Sequence, residues 1–400
     1  MAKIAAVRTV LLSSPYADAD DPEIKECFPN GPKRTIGMVE ITLDNGVTGL
    51  GEGYLAVFAP KVFAAIVDLC RPYMEGRDGF DIKRRVRDLR SVCDYWSLQG
   101  AARHVISAFE IALQDAKAKS EGIPVYDLLG GAKAEAIKIY GSGGCCDAKH
   151  QFLDELGRLQ ALGITLYKIR SVARDIYRTA WILDEAASRG IQVGVDMCQN
   201  LADPPQAVET VVTFVEAVHT ITDQRMVFLE EAIGPDAPEG FRELRQRIDV
   251  PVYGGEIITT PKEMIERLST GVYDAVQPDA SVIGGISAVM EIFAAAAKHD
   301  VGVVVHAWGG AAAIMASYHA AFAAGGTLVE YPMLDFPLAA EMMGDQGRIV
   351  DGMLLKPTAP GLGLTLTADM EARYPFDESA VYSCMLNDWG PPPDETWRRT

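Results

Sequence analysis

The sequence predicts an α/β protein in which a parallel barrel follows a smaller α+β domain. Three observations support this fold class. The chain has 400 residues, which is enough for a barrel of about 250 residues and a second domain. Short apolar runs alternate with amphipathic helices from about residue 131 to 330, as they do in parallel sheets. Asp196, Glu230 and Glu256 each end one of these runs. An open doubly wound sheet shares this alternation and remains the alternative.

The first part of the chain shows the alternation of strands and then the spacing of helices. Apolar residues alternate from Ile4 to Leu12, from Thr35 to Leu43 and from Val47 to Tyr54, with a turn at Asp44-Asn45-Gly46. This pattern predicts an antiparallel sheet. From Pro60 to about Glu121 the apolar spacing becomes helical. We therefore predict that residues 1–130 form an α+β domain.

A polar stretch, residues 14–34, separates the first two predicted strands. It is too long to be only a connector, and loops on rigid scaffolds often carry recognition. We expect it to cover the barrel mouth and to set specificity, with Lys25, Lys33 and Arg34 as candidate contacts to a far carboxylate of the substrate. A solvated loop with ordinary surface charges is the alternative.

Eight short apolar runs are the predicted strands of the barrel. Parallel strands with helices between them close into such a barrel, and the chemistry lies at their carboxyl ends. Residues 341–400 add a strand-like stretch and are expected to fold back on the first domain. The eight predicted strands are Ile137 to Tyr140, Thr165 to Ile169, Ile191 to Val195, Met226 to Leu229, Val252 to Gly255, Ala275 to Gln277, Val301 to Val305 and Thr327 to Val329.

Three acids at strand ends point to a site for a hard cation. Asp196, Glu230 and Glu256 are separated by gaps of 34 and 26 residues, which leaves room for a loop, a helix and a return to the next strand. The three acids are therefore expected at the same end of neighbouring strands. Converging oxygen ligands are how proteins hold Mg²⁺. Any one of these acids alone is more often a helix cap or a solvated loop residue.

The remaining charged strand ends are Lys168, Arg170, Asp279, His306 and Glu330. Lys168 and Arg170 are two residues apart, so both side chains lie on one face of their strand and point into the barrel mouth. On adjacent strands, the carboxylate of Asp279 would orient His306 and raise its basicity, as a general base requires. A lone histidine after an apolar run is more often a core residue. The other five histidines lie in helical patterns and are assigned no chemistry.

Charge and composition exclude several classes of function. The net charge of −18 repels nucleic acid and anionic membranes, so neither is expected as a partner. Seven cysteines spread along the chain lack the spacing of a disulfide framework or a zinc site, which favours a reducing cytoplasm. Residues 301–326 contain no Asp, Glu, Lys or Arg and are long enough to span a bilayer. Their two histidines and two glycine pairs favour a buried strand, turn and helix instead.

Four further motifs support a resemblance to a known family: Gly49-Leu-Gly-Glu-Gly53, Ala112-Leu-x-Asp115, Leu128-Leu-Gly-Gly131 and Pro360-Gly-Leu-Gly363. With the strand-end residues, they resemble the signatures of the enolase superfamily, in its mandelate racemase-like branch, over nearly the whole chain. The resemblance implies a modified TIM-type (β/α)7β barrel, residues 131–340, with an N-terminal α+β capping domain, residues 1–130. The C-terminal segment, residues 341–400, would fold back on the capping domain. The protein would be a homo-oligomer.

The resemblance also implies roles for the charged strand ends. The three acids would hold one Mg²⁺ per subunit. His306 and Asp279 match the His-Asp pair of the family. Glu330, within Leu-Val-Glu-Tyr-Pro, matches the acid that binds the substrate carboxylate.

The sequence departs from the family pattern at three positions. The branch usually carries Lys-x-Lys, whereas this chain has Lys168-Ile-Arg170, so arginine replaces the lysine that would act as a second base. Cys198 stands where asparagine often follows the first ligand, and Ala232 stands where proline usually follows the paired glutamates. The last two changes affect the shape of the loop and the substrate contacts, for which Cys198 and Asn200 are candidates.

Arg170 decides which reaction we expect on a small carboxylate substrate. Lys168 would add positive charge to the substrate carboxylate, Glu330 in protonated form would donate a hydrogen bond to it, and His306 would take the α-proton. A guanidinium with a pKa above about 12 is a poor acid or base on the opposite face, which favours β-elimination over racemisation.

We therefore expect a Mg²⁺-dependent dehydratase that converts an acid sugar, an aldonate or aldarate, into a 2-keto-3-deoxy acid. A racemase or epimerase of a 2-hydroxy or amino acid is the nearer alternative. A non-catalytic binding member of the same fold is the remoter one.

Overall fold

The computed structural model describes residues 2–16, 33–145, 148–380 and Trp397. It begins with an antiparallel sheet of β1 (Ile4–Pro15), β2 (Lys33–Leu43) and β3 (Thr48–Glu52). Strands β1 and β2 pair as far as Pro15 and Lys33, so they extend further into the 14–34 stretch than the alternation predicted. Residues 17–32, which include Lys25, lie outside the described residues.

Helices follow this sheet in the N-terminal part, and three of them, the first, the second and the fourth, pack against its strands. The helices are α1 (Leu55–Phe58), α2 (Pro60–Cys70), α3 (Ile82–Cys93), α4 (Ala101–Glu121) and α5 (Val125–Leu128). Helix α4 is buried along most of its length. It lies so close to β3 that a Cβ at Gly49 or Gly51 would overlap backbone oxygens of α4. The glycines of the Gly49-Leu-Gly-Glu-Gly53 motif therefore permit this contact.

A closed parallel barrel follows. Neighbouring strands from β4 to β10 pair in chain order, and β11 pairs in parallel with β4. A parallel β-bridge between Val305, two residues after β10, and Val329 of β11 closes the ring of strands. The closure excludes the open doubly wound sheet. The described residues contribute eight strands to the barrel: β4 (Ala136–Ser142), β5 (Leu166–Arg170), β6 (Gln192–Asp196), β7 (Leu229–Glu230), β8 (Val252–Gly254), β9 (Ala275–Val276), β10 (Gly302–Val303) and β11 (Leu328–Pro332).

Helices connect consecutive strands of the barrel. A short additional helix, α11, precedes α12 in the connection after β9. The alternation over the described residues is that of a (β/α)7β barrel, and the predicted fold class is confirmed. The helices are α6 (Lys149–Ala161), α7 (Ile176–Ser188), α8 (Val208–Ile221), α9 (Pro238–Arg247), α10 (Pro261–Ser269), α11 (Ala280–Ile283), α12 (Ile286–His299) and α13 (Ala311–Ala324).

The C-terminal segment contacts both the barrel and the N-terminal part. It contains α14 (Pro337–Met343), β12 (Ile349–Val350), β13 (Met353–Leu355) and α15 (Ala368–Arg373). Strand β13 pairs antiparallel with β4 of the barrel. Further along, the N–H of Leu362 donates to Asp115, and Glu371 forms an ion pair with Arg8. The segment thus ties the two parts of the chain together.

The uncharged stretch, residues 301–326, is a strand, a turn and a buried helix. Helix α13 is buried on all sides, which is the pattern of a helix in the core of a large protein. Within the part of the chain that the structure describes, no helix has both the length and the apolar character that a membrane span needs.

Candidate active site

The carboxyl ends of the barrel strands bring the predicted charged residues together. In the register of the sheet, Arg170 lies beside Asp196 of the next strand, and Asp196 lies beside Glu230. Strand β8 then ends at Gly254, two residues before Glu256. This arrangement follows from parallel pairing, because the same ends of the strands meet at one rim of the barrel.

Lys168 lies at the centre of this group of charges. Its side chain is 1% exposed, and its Nζ lies 2.5 Å from Glu230, 2.8 Å from Glu330 and 3.8 Å from Asp196. Burial alone would lower the pKa of Lys168, but these carboxylates raise it well above its usual value. Lys168 is therefore a fixed cation among acids, and it is unsuited to act as a base in this arrangement.

The environment of Glu230 shows why a divalent cation would stabilise this group of acids. Its buried carboxylate accepts hydrogen bonds from Lys168 and, at 2.6 Å, from Nε2 of Gln277. Burial raises the pKa of Glu230 to about 8, and Asp196 and other nearby acids add to the rise although Lys168 opposes it. Acids that repel one another in this way are stabilised by a cation, and carboxylate oxygens are the ligands that Mg²⁺ prefers.

Glu256 is engaged by neighbours on both of its oxygens. Its Oε1 accepts a hydrogen bond from Asn200 at 2.7 Å, and its Oε2 lies 3.3 Å from Nε2 of His306. As the side chains are arranged in the described residues, no three His, Cys, Asp or Glu groups are close enough to hold a metal ion. Asp196, Glu230 and Glu256 are the residues that would hold Mg²⁺ at this rim, and that role stays a prediction.

His306 and Asp279 form a hydrogen-bonded pair. Nδ1 of His306 lies 2.7 Å from Oδ2 of Asp279, whose Oδ1 accepts from the N–H and the hydroxyl of Ser281. These bonds fix the carboxylate, which in turn orients the imidazole with Nε2 facing the acids of the site. Burial alone would lower the pKa of His306, but Glu256, Glu330 and the bond to Asp279 raise it to about 10. Among these acids Glu256 raises the pKa of His306 most, and a cation bound by Glu256 would offset that effect.

The charge state of Glu330 differs from the expectation that it is held protonated. Its Oε1 lies 2.8 Å from Nζ of Lys168, and its Oε2 accepts from the N–H of Ala307 at 2.8 Å. Burial by itself would raise the pKa of Glu330, but Lys168 and His306 lower it to about 2. Glu330 is therefore ionised here. The expectation was wrong because the sequence pattern does not show that Lys168, His306 and the N–H of Ala307 face this carboxylate.

Arg170 is held by contacts on several sides. Its guanidinium lies over the ring of Trp308, 4.2 Å from the centroid, and donates to the carbonyl of Gly143 at 2.7 Å. Nη1 also lies 3.3 Å from Sγ of Cys145. Burial alone would lower the pKa of Arg170, but Cys145 and Cys198, together with Asp196 and Glu330, raise it well above its usual value. Arg170 therefore stays charged.

The two candidate substrate contacts beside Asp196 form hydrogen bonds to predicted metal ligands. The N–H of Cys198 donates to Oδ1 of Asp196 at 2.8 Å, from a backbone with φ of 50°. Asn200 donates to Glu256. Their bonds orient the acids, and a direct contact of either residue with substrate stays a prediction.

The described cations of the 14–34 stretch have different surroundings. Lys33 forms an exposed ion pair with Asp377 at 2.8 Å. Arg34 is buried, donates to the hydroxyl of Tyr54 at 2.8 Å, and lies against the rings of Tyr54 and Phe336. Arg34 is therefore the better placed of these two residues, because the ring of Tyr54 lies near that of His306.

Three residues of the site were missed in the sequence. Gln277 donates to Glu230, Trp308 stacks on Arg170, and the ring of Tyr54 lies 6.0 Å from that of His306. Gln277 ends a predicted strand, so it could have been found by reading amides as well as charges at strand ends. Tyr54 carries no comparable signal, because the packing of the N-terminal part on the barrel places it here. Trp308 carries none either, because its contact with Arg170 joins two barrel segments that are far apart in the sequence.

Comparison with known families matches both parts of the chain. The description "Mandelate racemase / muconate lactonizing enzyme, N-terminal domain" matches residues 24–130, and "Enolase C-terminal domain-like" matches residues 151–370. The chain belongs to the enolase superfamily, in its mandelate racemase-like branch. The N-terminal part is thus the capping domain of this superfamily, and the barrel is its C-terminal domain.

Relatives in the superfamily are similar over most of the chain. D-galactarolactone cycloisomerase of Agrobacterium fabrum is 27% identical over 387 residues, which cover 92% of this chain and 97% of the relative. D-galactonate dehydratase of Xanthomonas oryzae pv. oryzae is 26% identical over 84% of this chain and 90% of its own. The solved structure of L-talarate dehydratase from a Polaromonas species, complexed with Mg and L-glucarate, has a TM-score of 0.77 at 23% identity, over 94% and 98% of the two chains.

Proposed function

We propose that the chain is a Mg²⁺-dependent dehydratase of an acid sugar, a carbon–oxygen lyase that forms a 2-keto-3-deoxy acid. The observation that supports it best is the asymmetry of the site. A hydrogen-bonded His–Asp pair lies on one side, and a guanidinium held by Trp308 and Gly143 lies on β5. Relatives named as dehydratases of D-galactonate and D-gluconate support the same reaction class.

Each protein group has a defined part in this reaction. The cation, bound by Asp196, Glu230 and Glu256, would supply positive charge for the enediolate that forms when the α-proton leaves. Lys168 adds positive charge at the same oxygens, and ionised Glu330 keeps Lys168 charged and in place.

His306 moves the protons. Nε2, in neutral imidazole, takes the α-proton while Asp279 holds Nδ1–H. The electron pair of the broken C–H bond is held in the enediolate. It then forms the C=C bond between the α and β carbons as the β C–O bond breaks. The departing hydroxyl takes the proton from His306 and leaves as water, and the enol product becomes the 2-keto-3-deoxy acid.

A library of aldonic and aldaric acids tests the proposal. With Mg²⁺ present, we expect a 2-keto product from at least one acid, with a mass lower by one water. His306→Asn is the control, because it keeps the size of the side chain and removes the base. Turnover with no loss of water would contradict dehydration.

A cycloisomerase is the second candidate, because the relative that aligns over 92% of the chain is so named. An isomerase leaves the composition of its substrate unchanged, so the mass of the product separates the two reactions in the same screen. A racemase also leaves the mass unchanged but inverts one centre, which optical rotation of the recovered acid would show. Assembly as a homo-oligomer and location in the cytoplasm stay predictions, and size-exclusion chromatography with light scattering tests the first.

A further inference from the structure

Two buried carboxylates of the capping domain contact the barrel behind the Asp279–His306 pair. Glu52 ends β3 and Glu110 lies in α4, and both are 1% exposed. Each accepts hydrogen bonds from the first turn of a barrel helix. Neither carboxylate is part of the site described above.

Glu52 caps α13, the helix that follows His306. Its Oε1 accepts from the N–H of Gly310 at 2.6 Å, and its Oε2 accepts from the N–H of Ala313 at 3.2 Å. Helix α13 has no side-chain cap of its own. The first N–H groups of a helix need acceptors, and a carboxylate there also interacts favourably with the helix dipole. A Cβ at Gly310 would lie 2.8 Å from Oε2, so glycine is what lets Glu52 approach.

Glu110 does the same for α12, which is separated from Asp279 by the short helix α11. Its Oε2 accepts from the N–H of Ile286 at 2.8 Å, and its Oε1 accepts from the N–H of Ser287 at 3.1 Å and from the Ser287 hydroxyl at 2.5 Å. Helix α12 also lacks a side-chain cap of its own. A Cβ at Gly285 would overlap this carboxylate.

Short segments connect these two helix starts to the catalytic pair. Only Ala307, Trp308 and Gly309 separate His306 from Gly310, and Ala307 and Trp308 are themselves bonded to Glu330 and stacked on Arg170. The segment after Asp279 is held by a bond from the N–H of Gly284 to Ser107 in the capping domain. A shift at either helix start would therefore be passed on to the base or to its partner.

We propose that Glu52 and Glu110 are positioning residues for the Asp279–His306 pair. From the capping domain, Glu52 holds the start of α13, the helix after His306, and Glu110 holds the start of α12, the second helix after Asp279. Docking of the two domains thereby sets the geometry of the base. The kinetic part of the test rests on the proposed function, whereas the geometry of the pair can be observed without a substrate.

Glu52→Gln and Glu110→Gln test this role. In each, the amide keeps the shape of the side chain but turns one acceptor oxygen into a donor that faces another N–H group. The matched control is Asp115→Asn. Asp115 is buried on the same helix as Glu110, but its oxygens accept from the N–H groups of Leu50 and Leu362 and from Nζ of Lys119, none of which begins a barrel helix.

The first readout is NMR of protein labelled at histidine with ¹⁵N. The ring signals of His306, assigned by their loss in His306→Asn, report its hydrogen bond to Asp279. We expect these signals to shift in both glutamine variants and to stay unchanged in Asp115→Asn. Unchanged signals in both glutamine variants would overturn the proposal, whether or not the chain is a dehydratase.

If Glu110→Gln does not fold, Ser287→Ala can replace it. Ser287→Ala removes only the hydrogen bond from the Ser287 hydroxyl to Glu110 and leaves the carboxylate and its bonds to the backbone N–H groups in place. It should shift the same signals by a smaller amount. Absence of any shift would likewise count against the role of Glu110.

The second readout is kinetic and needs an acid that the wild-type enzyme dehydrates. We expect each glutamine variant to lower kcat about 10-fold or more, because small misplacements of reacting groups are costly, while KM stays within about 2-fold. If all three variants lose the same thermal stability and keep their kcat, the glutamates only dock the domains and the proposal is wrong. Failure of the wild type to turn over any acid would instead overturn the proposed function and leave the NMR result standing.

Discussion

Arg170→Lys should change the outcome of the reaction as well as its rate. Arg170 ends β5 and His306 follows β10, and the shorter way around the barrel between them crosses β11 and β4. A substrate held between these residues presents a different face to each. We therefore expect the wild-type enzyme to exchange the α-proton only of the C2 epimer whose proton faces His306.

The size of the effect follows from the two proton equilibria. At pH 7.5, an arginine with a pKa of about 12.5 is neutral in about 1 of 10⁵ molecules, and the groups around Arg170, Cys145 first among them, make its neutral form rarer still. A lysine with its ordinary pKa of about 10.4 is neutral in about 1 of 10³ molecules. The substitution should therefore raise proton exchange from this face about 100-fold or more. Turnover of the natural epimer should fall, since lysine cannot stack on Trp308 in the same way.

Incubation of each epimer in D₂O, followed by proton NMR of recovered acid and product, measures this exchange. Adding His306→Asn to the lysine variant is the control, because it should remove exchange on the His306 side and keep the new exchange. If the wild type already exchanges both epimers at comparable rates, Arg170 is a working base and the preference for dehydration loses its main support. The reasoning from pKa would be refuted if the lysine variant still turned over the epimer used by the wild type but showed no α-proton exchange on the other epimer.

Four further outcomes are expected. EDTA should abolish turnover and Mg²⁺ should restore it better than Zn²⁺, because the proposed ligands are all oxygens; full activity after exhaustive chelation would contradict the metal site. His306→Asn should lower kcat about 100-fold or more, and wild-type rates would leave His306 a structural residue. Arg34→Ala should lower kcat/KM about 10-fold because Tyr54 loses a charged donor, whereas Lys33→Ala breaks only an exposed ion pair and should change it little; the reverse order would refute this assignment. Burial raises the pKa of Glu52 from 4.5 to about 7, so the folded protein binds the proton of the Glu52 carboxyl more tightly than the unfolded chain does. The stability that this proton contributes is full below about pH 4.5 and is lost as the pH rises through 7. Relative to Glu52→Gln, the free energy of unfolding of the wild type should fall by about 3 kcal/mol between pH 4.5 and 8, and urea denaturation that shows a constant difference would contradict this.

The order of strands and helices could be predicted because it is written in local periodicity. Each of the eight apolar runs predicted for the barrel overlaps a strand of the described structure. Lengths were less predictable: the run from Val301 to Val305 contains a strand of only Gly302–Val303. The closure of the barrel could not be predicted from periodicity, because the pairing of β11 with β4 joins segments that are far apart in the chain.

The charged residues of the site could also be found in the sequence. They end successive strands, and parallel strands meet at their carboxyl ends whatever the helices between them contain. What each residue touches depended on the tertiary structure. Gln277 on Glu230, Trp308 on Arg170 and Glu52 on α13 join elements that no local pattern relates.

The ionisation of Glu330 shows the physical reason for this division. The type of residue and its place at a strand end follow from the local sequence. Its charge depends on how near other charges lie, and electrostatic energy varies with distance and burial. Only the folded structure sets Lys168 at 2.8 Å and the N–H of Ala307 at 2.8 Å from this carboxylate, and these contacts keep it ionised where the sequence led us to expect a protonated acid.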